Sequence, residues 1–138
     1  MAHFAKVNSS NIVEQVVVVA NESAPTEQAG KDFLNKLYKT NDNWIQCSYN
    51  TSGGKYYVQD ENGVATLGSD QSKAFRKNFP GIGSIWMPEY DGFSTISPYP
   101  SWVLNTDTLW WDAPVAKPIT ENPCKWDEEN QTWVVEIT

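Results

Sequence analysis

Residues 2–20 set the architecture of this chain and read Ala2-His-Phe-Ala-Lys-Val7, Asn8-Ser-Ser-Asn11 and Ile12-Val-Glu-Gln-Val-Val-Val-Val-Ala20. Two runs rich in β-branched residues flank a cluster of turn-forming residues, and this arrangement predicts a β-hairpin. Residues 16–19 are all valine, and an unbroken apolar run favours a strand that is covered on both faces. We therefore expect the second strand to be central in its sheet.

One α-helix is expected after this hairpin. Apolar residues recur at helical spacing between residues 26 and 39, and Ser23 or Thr26 can cap the first turn. The predicted apolar face consists of Ala29, Phe33, Leu34 and Leu37. We expect that face to pack on the sheet that holds residues 16–19, which gives the chain a β-β-α beginning.

The pattern changes after Trp44 to short apolar or aromatic runs separated by Gly, Asn, Asp and Pro, which is typical of an antiparallel meander. Residues 44–49 and 55–59 flank a turn with two glycines, and residues 60–63 form the next turn signal. Residues 74–79 are expected to form another strand. The predicted fold class is therefore α+β, mainly β.

Three segments place aromatic residues seven or eight positions apart around a turn. They run from Trp86 to Phe93, from Trp102 to Trp110 and from Trp126 to Trp133. Each predicts two short strands clamped by an aromatic pair, which contributes roughly 0.2–1 kcal/mol. The alternative is a row of exposed rings that stack on sugars.

Five of the eight prolines lie between residue 98 and the C-terminus, and this spacing predicts a Pro-rich arm. We expect residues 1–97 to form the β-β-α part and the antiparallel core. Residues 98–138 then form Trp- and Pro-rich hairpins and the arm, within the same domain. So much aromatic surface in a thin arm predicts an interface with another subunit.

The charge balance argues against a nucleic-acid partner. Seventeen acidic residues oppose ten basic ones, so the net charge of −7 repels a phosphate backbone. The basic residues Lys73, Arg76 and Lys77 could contact an acidic surface, but the sequence favours a solvated strand face. No apolar run approaches the ~20 residues that span a bilayer, and no signal peptide or membrane association is expected.

No constellation of catalytic residues is recognisable. The single histidine, His3, has no obvious cysteine partner, and no phosphate-binding loop is present. Cys47 and Cys124 are expected to be free thiols, Cys47 buried in a strand, with a disulfide as the alternative. We predict no enzyme, no cofactor and no metal site; a glycosidase that uses two carboxylates beside Trp platforms is the catalytic alternative.

Several segments in combination carry a resemblance to a known group of proteins. They are Met1-Ala-His-Phe-Ala-Lys-Val7, Trp44-Ile-Gln-Cys-Ser-Tyr-Asn-Thr51, Phe75-Arg-Lys-Asn-Phe-Pro-Gly-Ile-Gly83, Pro98-Tyr-Pro-Ser-Trp-Val-Leu-Asn105 and Trp126-Asp-Glu-Glu129. The chain resembles small proteins encoded by tailed phages of marine bacteria, cyanophages among them. The resemblance implies a viral origin and a virion component, and it supplies no catalytic or ligand-binding residues.

The sequence therefore predicts a non-enzymatic virion protein, a head decoration or a tail accessory, that is made in the host cytoplasm. Its expected partners are other virion proteins and further copies of itself. A glycan-binding module for host surface sugars is the alternative, and a host-takeover protein that binds a bacterial factor is the third hypothesis. The candidate binding residues are Trp86, Tyr90, Trp102, Trp110, Trp111, Trp126 and Trp133.

Overall fold

A computed structural model describes residues 1–137. It confirms a mainly β architecture, and these residues contain one α-helix. The strands are β1 (Ala2–Val7), β2 (Val13–Val19), β3 (Asn43–Cys47), β4 (Thr51–Ser52), β5 (Lys55–Gln59), β6 (Ala65–Leu67), β7 (Ile85–Met87), β8 (Gly92–Ser94), β9 (Val103–Asn105), β10 (Trp110–Asp112), β11 (Cys124–Asp127) and β12 (Thr132–Val135). The α-helix, α1, is Glu27–Tyr38, and 3-10 turns lie at Asn21–Ser23, Gln71–Lys73 and Pro88–Tyr90.

The predicted N-terminal hairpin is confirmed, but its second strand is not central. The first sheet has the order β2-β1-β3, and both pairings are antiparallel. The chain leaves α1 and returns beside β1, which makes β1 the middle strand and places β2 at an edge. The valine run still contacts apolar side chains on both faces, because Val16 and Val17 pack against different clusters while Val18 is exposed.

Both faces of this sheet are covered, because side chains alternate along each strand. One face carries Ala2, Phe4, Val19 and Trp44, which pack with Leu34 of the helix. The opposite face carries Ala5, Val7, Val13, Ile45 and Cys47, which pack with Trp86 and Phe93 of the β7–β8 hairpin. The sheet is therefore a middle layer between a helix and a hairpin.

The helix has the predicted cap and a narrower buried face than predicted. Thr26 Oγ1 accepts a hydrogen bond from the Ala29 amide at 3.1 Å, and Lys39 ends the helix in the left-handed conformation. Gly30 and Leu34 are the buried helix residues, while Phe33 and Leu37 are exposed. A Cβ on Gly30 would overlap the ring of Phe4, so the helix approaches the sheet along the side that bears Gly30.

The middle of the chain contains the predicted antiparallel meander as the sheet β4-β5-β6, but its first strand is not residues 44–49. Residues 44–49 do not pair with residues 55–59, because β3 pairs with β1 and β5 pairs with β4 around Gly53-Gly54. Both glycines have positive φ, 57° and 80°, which a tight two-residue hairpin loop requires. The turn at residues 60–63 is confirmed, and it joins β5 to β6.

The described contacts divide the chain into two compact units. Unit 1 comprises Met1–Ile96 with Thr106–Leu109, and unit 2 comprises Ser97–Asn105 with Trp110–Thr138. Unit 1 contains α1 and the sheets built from β1 to β8, whereas unit 2 contains the hairpins β9–β10 and β11–β12. A single domain for the whole chain stays a prediction.

Candidate functional site

Two of the three predicted aromatic clamps are confirmed. Trp126 lies directly opposite Trp133 in the β11–β12 hairpin, with ring centroids 5.2 Å apart in an edge-to-face arrangement. Trp86 lies opposite Phe93 in the β7–β8 hairpin, with ring centroids 5.0 Å apart. Both pairs act as structural staples, as cross-strand aromatic pairs do in short hairpins.

The third predicted clamp, between Trp102 and Trp110, does not form, although the hairpin β9–β10 is present. The register pairs Trp110 with Asn105 and Trp111 with Leu104, and Trp102 lies before the first residue of β9. Its ring packs instead against Trp126, at 5.8 Å between centroids, and against Trp133, at 6.0 Å. The spacing of eight residues therefore reflected a longer turn and not a cross-strand pair.

Unit 2 consequently has a core of aromatic rings. Its members are Tyr99, Trp102, Trp126 and Trp133, which we call the aromatic cluster. Trp126 is the most deeply buried, with 5% of its surface exposed. The indole nitrogen of Trp102 is buried and finds no acceptor among residues 1–137. The buried ring of Trp126 is not accessible for stacking on a ligand, whereas Tyr99, Trp102 and Trp133 are partly exposed.

Polar groups fix the rim of the aromatic cluster. Glu128 accepts hydrogen bonds from the Ser101 amide at 3.0 Å and from the Ser101 hydroxyl at 2.9 Å. The bond from the Ser101 hydroxyl is the main cause that lowers the pKa of the Glu128 carboxyl. Trp133 Nε1 donates to the Val115 carbonyl at 2.8 Å, and Lys117 Nζ lies 5.7 Å from the Trp133 ring centroid. These contacts hold part of the Pro-rich segment against the rim.

The candidate binding residues are divided between the two units and differ in exposure. Trp86 is 8% exposed and belongs to the core of unit 1, so it cannot serve as an exposed sugar platform. Tyr90 and Trp110 are exposed, in unit 1 and unit 2 respectively. Trp111 is half-buried in β10.

The predicted strand at residues 74–79 does not form, and Arg76 is not solvated, whereas Lys73 is exposed at the end of the turn Gln71–Lys73. Arg76 Nη2 lies 2.8 Å from Glu27 Oε1, and Arg76 Nη1 lies 3.4 Å from Asp91 Oδ1. The guanidinium carbon also lies over the Phe75 and Trp86 rings, 5.0 and 5.2 Å from their centroids, and the side chain is 16% exposed. Glu27 is far away in sequence, which is why sequence inspection missed this pair.

Asn78 ties three parts of unit 1 together. Its Oδ1 accepts from the Gly53 amide at 2.8 Å, and its Nδ2 donates to the Phe93 and Thr108 carbonyls at 3.0 and 2.8 Å. The half-buried asparagine therefore joins the β4–β5 turn, strand β8 and the segment Thr106–Leu109. Its donors and acceptor are all satisfied, which makes it a structural anchor.

The backbone at Lys77 is strained. Lys77 has φ 69° and Arg76 has φ 61°, and left-handed conformations are unfavourable for residues that carry a Cβ. The Asn78 amide donates to the Arg76 carbonyl at 2.7 Å, so Lys77 is the centre of a γ-turn of the rare positive-φ type. Such turns persist only where the surrounding structure imposes them.

A shallow cleft opens beside this strained turn. Its volume is about 270 Å³, and its lining consists of Gly54, Ala74, Arg76, Lys77, Tyr90 and Asp91. All six residues belong to unit 1. Nothing in the local sequence pattern predicted the cleft, because its lining comes from three separate segments.

The imidazole of His3 and the thiol of Cys47 belong to neighbouring strands, which the sequence did not predict. The register places His3 directly opposite Cys47 on adjacent strands, although the sequence suggested no such pair. Burial raises the pKa of Cys47 to about 12, and burial together with the N-terminal charge lowers the pKa of His3. Both groups are therefore neutral at pH 7, unlike the thiolate and imidazolium of a cysteine nucleophile. Cys47 is buried in a strand as predicted, and both cysteines are free thiols.

Comparison with protein-family models, curated proteins and solved structures finds no match for this chain. Within residues 1–137, no helix has the length and apolar character that a membrane crossing requires. The same residues contain no group of three or more His, Cys, Asp and Glu side chains placed to hold a metal ion.

Proposed function

We propose that this chain is a non-enzymatic structural or accessory protein of a phage virion, located at the head or the tail, that binds neighbouring virion proteins through unit 2. The viral context comes from the sequence resemblance. The binding role is supported by apolar side chains that unit 2 leaves on its surface.

The exposed apolar surface of unit 2 is the observation that carries this proposal. Val103 and Trp110 share one face of the β9–β10 hairpin, where they are 65% and 49% exposed. Further exposed apolar residues of the unit are Val115, Ile119, Val134 and Ile137. Since the aromatic cluster already fills the interior of unit 2, these residues do not serve its core. Neighbouring exposed apolar residues such as Val103 and Trp110 are typical of protein interfaces.

The chemistry of Cys47 supports a non-catalytic role. A nucleophilic cysteine needs a lowered pKa and access to a substrate. Cys47 has a raised pKa and lies in the apolar layer between the first sheet and the β7–β8 hairpin. Its thiol therefore behaves as a small apolar side chain.

Mass spectrometry of purified phage particles tests the proposal most directly. The chain should be present at a defined stoichiometry relative to the major head or tail proteins. Its absence from particles made by cells that express it would refute the virion assignment.

Substitutions then test the surface of unit 2. Val103→Asp should reduce incorporation into particles, because the new charge would be buried at the interface. Val64→Asp is a matched control, since Val64 is 57% exposed and lies in unit 1. Equal incorporation of both variants would exclude Val103 from the interface. Substitutions are preferable to deleting residues 98–138, because that deletion would also remove the buried Leu109 from unit 1.

A further inference from the structure

The cleft in unit 1 combines groups of opposite hydrogen-bonding character. Lys77 and Arg76 bring two cations that can only donate hydrogen bonds. Asp91 brings one carboxylate, 75% exposed, that can only accept them. Tyr90 adds an exposed aromatic ring with a hydroxyl group. The charged lining residues sum to one positive charge, and Glu27, which is paired with Arg76 outside the lining, brings the local sum to zero.

The cleft is built into the fold and is not an accidental gap between mobile side chains. A Cβ on Gly92 would collide with the stem of Lys77, so this glycine makes room for it. Glu27 and Asp91 hold the guanidinium of Arg76 from two sides. The ion pairs found in residues 1–137 both belong to Arg76, and neither uses the ammonium of Lys77.

The strained turn centred on Lys77 places this residue in the lining of the cleft. The carbonyl of Arg76 accepts from the Phe93 amide at 3.0 Å, and the carbonyl of Lys77 accepts from the Gly54 amide at 2.8 Å. These bonds maintain a backbone conformation that a lysine rarely adopts. Strain of this kind is concentrated at binding and active sites, where a side chain must be held in one place.

From these contacts we propose that the cleft binds one hexuronate residue of an acidic polysaccharide. A hexuronate ring carries a carboxylate for Lys77 and Arg76, hydroxyl donors for Asp91 and a C–H face for the Tyr90 ring. Its carboxylate complements the ammonium of Lys77, which neither ion pair of Arg76 uses. A volume of about 270 Å³ suits one sugar ring better than a folded partner surface.

Other anions match the lining less well. Acetate offers a carboxylate but no hydrogen-bond donor for Asp91. The net charge of −7 repels polyanions at long range, but at about 0.15 M salt charges are screened beyond about 8 Å. A single uronate in contact with Lys77 is therefore governed by the charges of the cleft.

This site is independent of the surface of unit 2 and of the proposed virion role. NMR titration of the full-length protein with galacturonate, galactose and acetate at pH 7 tests it. Galacturonate should shift the amide signals of the cleft and bind at least about tenfold more tightly than either control. Equal affinity for acetate would reduce the cleft to a simple anion site and overturn the proposal, and so would the absence of any shift.

Variants identify the groups that recognise the sugar. Lys77→Met keeps the aliphatic stem and removes the charge, so it should weaken galacturonate binding about tenfold or more. Lys73→Met, in the exposed turn Gln71–Lys73, is the matched control and should bind within twofold of the parent. Tyr90→Phe should retain binding and Tyr90→Ala should lose it if the ring provides a stacking surface. Equal losses in Lys77→Met and Lys73→Met would contradict the assignment. A thermal unfolding midpoint for each variant separates lost binding from lost folding.

Discussion

Replacing Trp126 by alanine should destabilise unit 2 severely. The Trp126 ring is nearly fully buried and touches Tyr99, Trp102 and Trp133, the other three members of the aromatic cluster. Truncation of a buried aromatic side chain to alanine costs roughly 3–5 kcal/mol. Loss of the edge-to-face contact with Trp133 accounts for about 0.5–1.5 kcal/mol that area burial alone does not explain.

The consequence should be visible within unit 2. Small units bury a limited fraction of their surface and are marginally stable, so a loss of this size is expected to exceed the stability of the unit. Amide hydrogen exchange measured residue by residue should show lost protection in strands β11 and β12. Near-ultraviolet circular dichroism should lose the signal of the packed indoles.

Trp110→Ala provides the control, because Trp110 lies outside the aromatic cluster and is half exposed. Its effect on the free energy of unfolding should be smaller by at least about 2 kcal/mol. A loss below about 1 kcal/mol in Trp126→Ala, or equal losses in Trp126→Ala and Trp110→Ala, would refute the assignment of the cluster as the core of unit 2.

Three further predictions concern unit 1. Gly30→Ala should destabilise the protein by roughly 1–3 kcal/mol in urea unfolding, because the new methyl group overlaps the Phe4 ring. The control Gln28→Ala, on the exposed side of α1, should change the free energy of unfolding by less than about 0.5 kcal/mol. Lys77→Gly should be at least as stable as the parent protein, because glycine adopts φ 69° without strain. Lys77→Val should lose roughly 1–3 kcal/mol of the free energy of unfolding. A Lys77→Val variant more stable than Lys77→Gly would contradict a strained turn. Because the pKa of Cys47 is raised in the folded protein, the thiol ionises first in the unfolded chain as the pH increases. The contribution of the Cys47 thiol to the free energy of unfolding is therefore full below pH 9.0. It is lost between pH 9.0 and about 12, at about 1.4 kcal/mol per pH unit. Cys47→Ala should remove that part of the alkaline decline and Cys124→Ser should leave it unchanged, and identical urea-unfolding profiles for the two variants would exclude Cys47 as its source.

Local patterns predicted the elements that depend on neighbouring residues. The turn formers at residues 8–11 placed the first hairpin, and the hydroxyl of Thr26 placed the start of the helix. The spacing of Trp126 and Trp133 around a short acidic turn predicted their pairing. In each case the interacting groups lie within a few residues of one another, so the local sequence pattern is sufficient to predict their contact.

Strand order and side-chain partnership required the tertiary structure. The valine run indicated burial on both faces, but it could not reveal that β3 would pair with β1 and leave β2 at the edge. The sequence predicts a strand at residues 74–79, yet their contacts with Glu27, Gly53 and Phe93 accompany positive-φ backbone conformations at Arg76 and Lys77. No local propensity predicts such conformations for arginine and lysine.

The candidate sites divide in the same way. By itself the sequence determined a β-rich chain with one helix and an aromatic C-terminal part, because these properties follow from composition and short-range periodicity. Only the tertiary structure decided that Trp102 joins the aromatic cluster and that Trp86 is buried in unit 1. It also brought Lys77 and Tyr90 to one cleft, because contacts between residues distant in sequence depend on the packing of the whole chain and not on any local pattern.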